Sequence, residues 1–224
     1  MVSAAVTQRD RRQSARIVRS SLRVTALLAF PMGLGLWALS DPLFRLFYRS
    51  YNAELGGSLL AVLGIASIFV CLMLVATSVL QAYNILSLPI FTMLAGGVVM
   101  VLFDYFMVGM VQFNIYGSPV GTCLCFGLTC GLDLHLVRRV VPGCPNYAQL
   151  FGKTLAASII MGAAAWAVYG LTSHLIGVKL AVLLAILLAV VLYAVLLVLL
   201  QVLTKDDLSL MPKGDKIAKL LHIN

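Results

Sequence analysis

Apolar residues run through this chain in long, nearly unbroken stretches, not in the two-residue or 3.6-residue alternation of a half-buried strand or helix. Six stretches stand out, at 24–40, 57–82, 88–110, 119–137, 154–172 and 178–203. Each is near the roughly 20 residues a helix needs to cross a bilayer. The pattern therefore predicts an all-α fold, a polytopic membrane bundle of six transmembrane helices. Turn formers separate the stretches: an outer loop from Asp41 to Gly57, a tight turn from Tyr83 to Ser87 before Pro89, and the break at Gly117, Ser118 and Pro119. Val140 to Tyr147 contains Pro142, Gly143 and Pro145, which cannot continue a helix, and this is the best internal boundary. The chain divides into a basic segment (1–23), a transmembrane lobe (24–203) of four helices (24–137) and then two (154–203), and a tail (204–224). In the tail, Ile217, Leu220 and Leu221 suit a membrane surface while Lys213, Lys216 and Lys219 face headgroups. Met1 to Arg23 is polar and basic, and the first apolar run is long enough to span, so no cleaved leader is expected.

Charge orients the spans. Of 16 Lys and Arg residues, all but Arg45, Arg49 and Lys179 fall on one side of this six-span arrangement. Positive charge marks the inner face, so both termini are expected on the cytoplasmic side of a multi-pass membrane protein. Composition agrees, because 62% hydrophobic and 11% charged residues leave too little polar surface for a soluble globule of 224 residues. In lipid, the net charge of +8 reads as attraction to anionic headgroups and not to nucleic acid.

Chemistry is sparse. The five cysteines, Cys71, Cys123, Cys125, Cys130 and Cys144, mostly lie inside spans, and no second pair or histidine completes a zinc-like set. There is no Ser/His/Asp arrangement, paired-carboxylate motif or phosphate-binding glycine loop, so neither an enzyme nor a cofactor or metal is expected. Small residues at close spacing (Gly33 and Gly35, Gly96 and Gly97, Gly117 and Gly121, Gly127 and Gly131, Gly162 with Ala163 to Ala165) permit close helix contact. Pro31, mid-helix, removes a backbone bond and predicts a kink.

Two aspartates inside spans matter most, because an ionisable group at a helix centre costs about 2.5 to 3.5 kcal/mol on insertion scales. Asp104 either faces a water-filled groove, where it could bind a cation, a proton or a polar substrate group, or sits near the outer interface beside Arg45 or Arg49. For Asp133 the expected partner is Arg138 or Arg139. Thr77, Gln81 and Asn84 fall close to one helix face, with Ser78 beside them, and either line a cavity or glue helices together. Arg16, Arg19 and Arg23, with Arg12 before them, share a face of the first helix, as a membrane anchor or as contacts to a phosphate headgroup.

Several of these segments resemble a known family. SLRVTALLAFPMGLGLWALSDPLFRLFY, from Ser21 to Tyr48, is similar to a helix of bacterial lipid-linked oligosaccharide flippases. LVATSVLQAYNILSLPIFTMLAGG follows the same family at Gln81, Pro89, Gly96 and Gly97, as do Asn114 to Gly117 with Gly121 and Thr122. The tail LTKDDLSLMPKGDKIAKLL resembles the close of the stage V sporulation protein B branch of lipid II flippase-like transporters. The resemblance implies the multidrug/oligosaccharidyl-lipid/polysaccharide exporter superfamily, whose members set two helical lobes around a groove and work by alternating access. It implies that this chain is one lobe, the carboxyl-terminal half, acting on a lipid-linked glycan or peptidoglycan precursor with a missing amino-terminal lobe as partner. Asp104, Gln81, Asn84 and Thr77 are then the groove candidates, and Arg16, Arg19 and Arg23 the headgroup contacts. Where relatives often show Lys and Asn in the third span, this chain has Met100 and Asp104. A cation-coupled multidrug exporter, or a truncated subunit that transports nothing, are the alternatives.

Overall fold

The structure, a computed structural model, describes residues 2–48, 53–108, 114–141 and 146–199. The 204–224 tail, the Pro142–Pro145 break with Cys144, Arg49, and the side chains of Arg9, Arg11, Arg12 and His174 lie outside the described residues. Seven helices are formed among them: α1 (Val2–Ala38), α2 (Ser40–Phe47), α3 (Ala53–Ala82), α4 (Ser87–Val108), α5 (Gly117–Val140), α6 (Tyr147–Ile176) and α7 (Val178–Leu199). All but α2 are long and apolar enough to cross a membrane.

The helices outrun the apolar stretches at their polar ends. α5 continues to Val140 and α6 starts at Tyr147, because hydropathy marks only the lipid-embedded part while a helix continues until a turn or cap stops it. For the same reason the basic segment is not separate: it is the first part of α1, continuous with the span. The outer loop also holds more structure than its turn formers suggest. Asp41 and Pro42, both favoured in a helix's first turn, open α2, and Asp41 and Phe44 rest on Gly56 and Gly57 of α3, where any β-carbon would collide with them.

Packing does not follow chain order. Neighbouring helices form the series α4, α5, α3, α1, α6, α7, so α5 is wedged between α3 and α4. The two helices at the ends of the series, α4 and α7, are accordingly the least buried of the six spans. One core cluster joins Val18, Leu22, Ala76, Leu80, Val137, Val141 and Leu150 where α1, α3, α5 and α6 meet. A second lies deeper, around Ala26, Phe30, Ile68, Leu72 and Cys130. Arg16, Arg19, Arg23, Arg138, Arg139 and Lys153 share one end of the bundle, called here the basic end.

α1 runs through Pro31 as one helix. Proline has no N–H, so the carbonyl of Leu27, four residues back, loses its helical partner. Tyr193 of α7 replaces it, its hydroxyl donating to the Leu27 oxygen at 2.8 Å. In lipid an orphaned carbonyl costs several kcal/mol, so this bond both satisfies α1 and ties α7 to it. Of the glycine pairs, Gly33 meets Gly64 and Ile68 at the α1–α3 crossing, whereas Gly97 and Gly131 face open space.

Candidate functional site

The most polar interior surface is the seam between α4 and α5. On α5 the buried residues Gly117, Gly121, Cys125, Thr129, Asp133 and Val137 recur every fourth position, one continuous ridge. Pro89, Thr92 and Gly96 of α4 face it. The helices approach so closely that a β-carbon at Gly96 would strike Thr129 Oγ1 and lie 2.9 Å from the Cys125 carbonyl. Thr129 turns its own hydroxyl back onto the Cys125 carbonyl at 2.8 Å, with the Thr92 carbonyl across the seam as a longer second acceptor at 3.4 Å.

A carboxylate closes each end. Toward the basic end, Asp133 is fully buried, and its partners come from two other helices. Thr77 Oγ1 of α3 donates to Oδ2 at 2.9 Å, while Thr92 Oγ1 of α4 lies 2.6 Å from Oδ1 and 2.9 Å from the carbonyl oxygen of Pro89. Three helices meet at one carboxyl group. Asp104 stands at the other end, twelve residues beyond Thr92 on α4, or roughly 18 Å at 1.5 Å per residue. Its Oδ1 is buried without a hydrogen-bond partner, pressed against Gly121, where a β-carbon would collide with it.

This placement corrects the expectation for Asp133. No ion pair joins it to Arg138 or Arg139 among the described residues. Those arginines lie five and six positions on, beyond the i+3 and i+4 reach that brings side chains together on a helix, and both are exposed in the last turn of α5. Asp133 had no signal in the sequence beyond its type, because its partners lie 56 and 41 residues away. Asp104 is not paired with Arg45 among the described residues either, since α2 packs on α3 and α7 and not beside α4.

The groove candidates are divided. Thr77 joins Asp133, but Gln81 and Asn84 are exposed at the basic end, far from Asp104. Asn84 has a positive φ of 61°, with its N–H bonded to the Gln81 carbonyl at 2.9 Å, so it turns the chain out of α3. Arg16 and Arg19 are exposed and Arg23 half-buried along α1. Cys71, Cys123, Cys125 and Cys130 are free thiols. At the end opposite the basic one, a cavity of about 920 Å³ opens between α1, α3 and α6. Trp37, Asp41, Glu54, Tyr116, Trp166 and Tyr169 line it, and no basic side chain does among the described residues.

Residues 1–106 match the MatE family model. The matched stretch takes in α1, α2, α3 and nearly all of α4, and so includes Thr77, Thr92 and Asp104 but not Asp133. It likens this part of the chain to membrane exporters of the multidrug/oligosaccharidyl-lipid/polysaccharide superfamily, transporters and not enzymes. No curated protein and no solved structure matches the chain.

Proposed function

We propose that this six-span bundle is one lobe of an exporter that moves lipid-linked oligosaccharide or peptidoglycan precursor across the bacterial cell membrane by alternating access. The MatE match over α1 to α4 carries the reading, with the PMGLGL, QAYNILSLP and NIYG segments giving the glycan preference. Basic residues at helix ends support an orientation with the basic end in the cytoplasm. There Arg16, Arg19 and Arg23 can meet a pyrophosphate headgroup while the polyprenyl tail stays in lipid. A second helical lobe would face this one and complete the groove. Reconstitution in liposomes with and without an amino-terminal lobe, following a fluorescent lipid-pyrophosphate sugar from protected to exposed, tests the reading. Transfer only with both lobes supports it; no transfer in either case sinks it.

A cation-coupled exporter of organic cations is the second reading. The unpartnered Oδ1 of Asp104 favours it, as does the acidic, aromatic cavity, where Trp faces attract cations. Ion-dependent efflux of a lipophilic cation, abolished in Asp104→Asn, would separate it from the first.

A further inference from the structure

The cavity at the end opposite the basic one exists because α1 stops short. It ends at Ala38, the chain turns into α2, and α2 packs on α3 and α7, so the space between α3 and α6 past that terminus is left open. At the floor α6 closes on α1, where a β-carbon on Gly162 would lie 3.5 Å from the Leu34 carbonyl oxygen. At about 920 Å³ the space is of the size that holds small ligands.

Its wall changes character with depth. Two carboxylates stand at the mouth, Asp41 in the first turn of α2 and Glu54 in the first turn of α3. Ser58, one turn down α3, bonds the Tyr116 hydroxyl at 3.2 Å and so ties that ring beside Glu54. Ala61 lies roughly 10 Å below Glu54 at 1.5 Å per residue, and at the floor the wall is aliphatic, with Leu34 of α1 and Ile159 of α6. The indoles of Trp37 and Trp166, 51% and 68% exposed, complete the wall.

Such a wall selects by charge. An ammonium group can donate to carboxylates while its carbons rest on an aromatic face. The helix N-termini under Asp41 and Glu54 complement part of their charge, but no basic side chain among the described lining residues neutralises them. The order from charged mouth to aliphatic floor is that of a lipid, from headgroup to chain, and tryptophan belongs at the depth where the two meet. Arg45 is exposed one turn past Asp41, so this part of α2 presents both signs that a zwitterionic headgroup carries.

We propose that the cavity is a lipid site for a phospholipid whose headgroup ends in an ammonium group, held by Asp41 and Glu54 against the two indoles, with its chains passing Leu34 and Ile159 into the bilayer. The site stands whatever the lobe transports.

The chain has two tryptophans and both line the cavity, so their fluorescence reads it without a label. The full chain is placed in phosphatidylglycerol bilayers, and the host lipid is replaced stepwise by phosphatidylethanolamine or by phosphatidylglycerol, each brominated on the acyl chains near the headgroup. Brominated phosphatidylethanolamine should half-quench the emission at a mole fraction about tenfold below that of brominated phosphatidylglycerol, the worth of one hydrogen bond to a charged group. Asp41→Asn combined with Glu54→Gln should erase the difference, while the lipid comparison on the wild type needs no variant to fold. Equal half-quenching by the two lipids would overturn the proposal, leaving the rings as an interfacial belt, or as a site for a soluble cation if added tetraethylammonium shifts the emission instead. A preference that survives the double variant would also overturn it, because the ammonium would then be held elsewhere.

Discussion

Two seams of this bundle use the same backbone solution for different ends. Between α6 and α7, Ala181, Ala185 and Ala189 recur every fourth residue, and Ala157, Met161 and Ala165 are buried at the same spacing on α6. Between α4 and α5 the same spacing carries glycine, cysteine, threonine and aspartate. In lipid, helix association depends on close packing and on polar contacts, because the tails are as apolar as the side chains. The alanine seam relies chiefly on the first of these, with one side-chain hydrogen bond between Tyr193 of α7 and Ser158 of α6. Its stability depends mostly on shape, while the α4–α5 seam depends also on its buried oxygens finding hydrogens. The largely apolar seam therefore offers chemistry less to alter than the hydrogen-bonded one.

The strongest way to break this comparison is steric. Gly96→Leu drives a side chain into the Cys125 backbone and should cost about 3 kcal/mol in an SDS-unfolding titration. Gly97→Leu, one residue on and facing open space, should stay within about 0.5 kcal/mol. Equal losses would mean that α4 does not meet α5 on the Gly96 face. Ala185→Leu should cost about 2 kcal/mol by overpacking the other seam, which would show that both depend on close approach.

Hydrogen bonding then separates them. Thr92→Val removes the hydroxyl between Asp133 and Pro89 and should cost about 2 kcal/mol by the same titration, because a buried carboxyl oxygen is left unpaired. A cost near zero would make the Asp133 clasp incidental. Tyr193→Phe tests the tie of α7 to the carbonyl that Pro31 frees. About 1 kcal/mol is expected, in line with interhelical bonds in membranes, and a smaller value would mean that the Leu27 oxygen finds another donor. Asp104→Asn should change stability least, within about 0.5 kcal/mol, because the oxygen it alters has no hydrogen-bond partner. Any effect of that variant on transport would then be functional and not structural.

Span number, order and approximate bounds were legible in the sequence, since burial in lipid imposes a composition that needs no partner to be recognised. Asp104 was legible as a carboxylate inside a span for the same reason. Its isolation was not, because that depends on α2 and Arg45 lying on the far side of α3. Thr77 was singled out with Gln81 and Asn84 on spacing alone, and of the three it is Thr77 whose hydroxyl meets Asp133. The chain leaves the helix at Tyr83 and Asn84, and the face ends there.

By itself the sequence determined that six helices are apolar enough to cross a membrane, roughly where each apolar span lies, and that basic residues gather at one end. All of these follow from each segment's own transfer free energy between water and lipid. Only the tertiary structure decided that α5 lies between α3 and α4, that Tyr193 satisfies the carbonyl freed by Pro31, and that Asp133 and not Asp104 is enclosed by hydroxyls. Those contacts join residues 41 to 166 positions apart. They depend on which faces meet, a choice that each helix's own hydropathy leaves open.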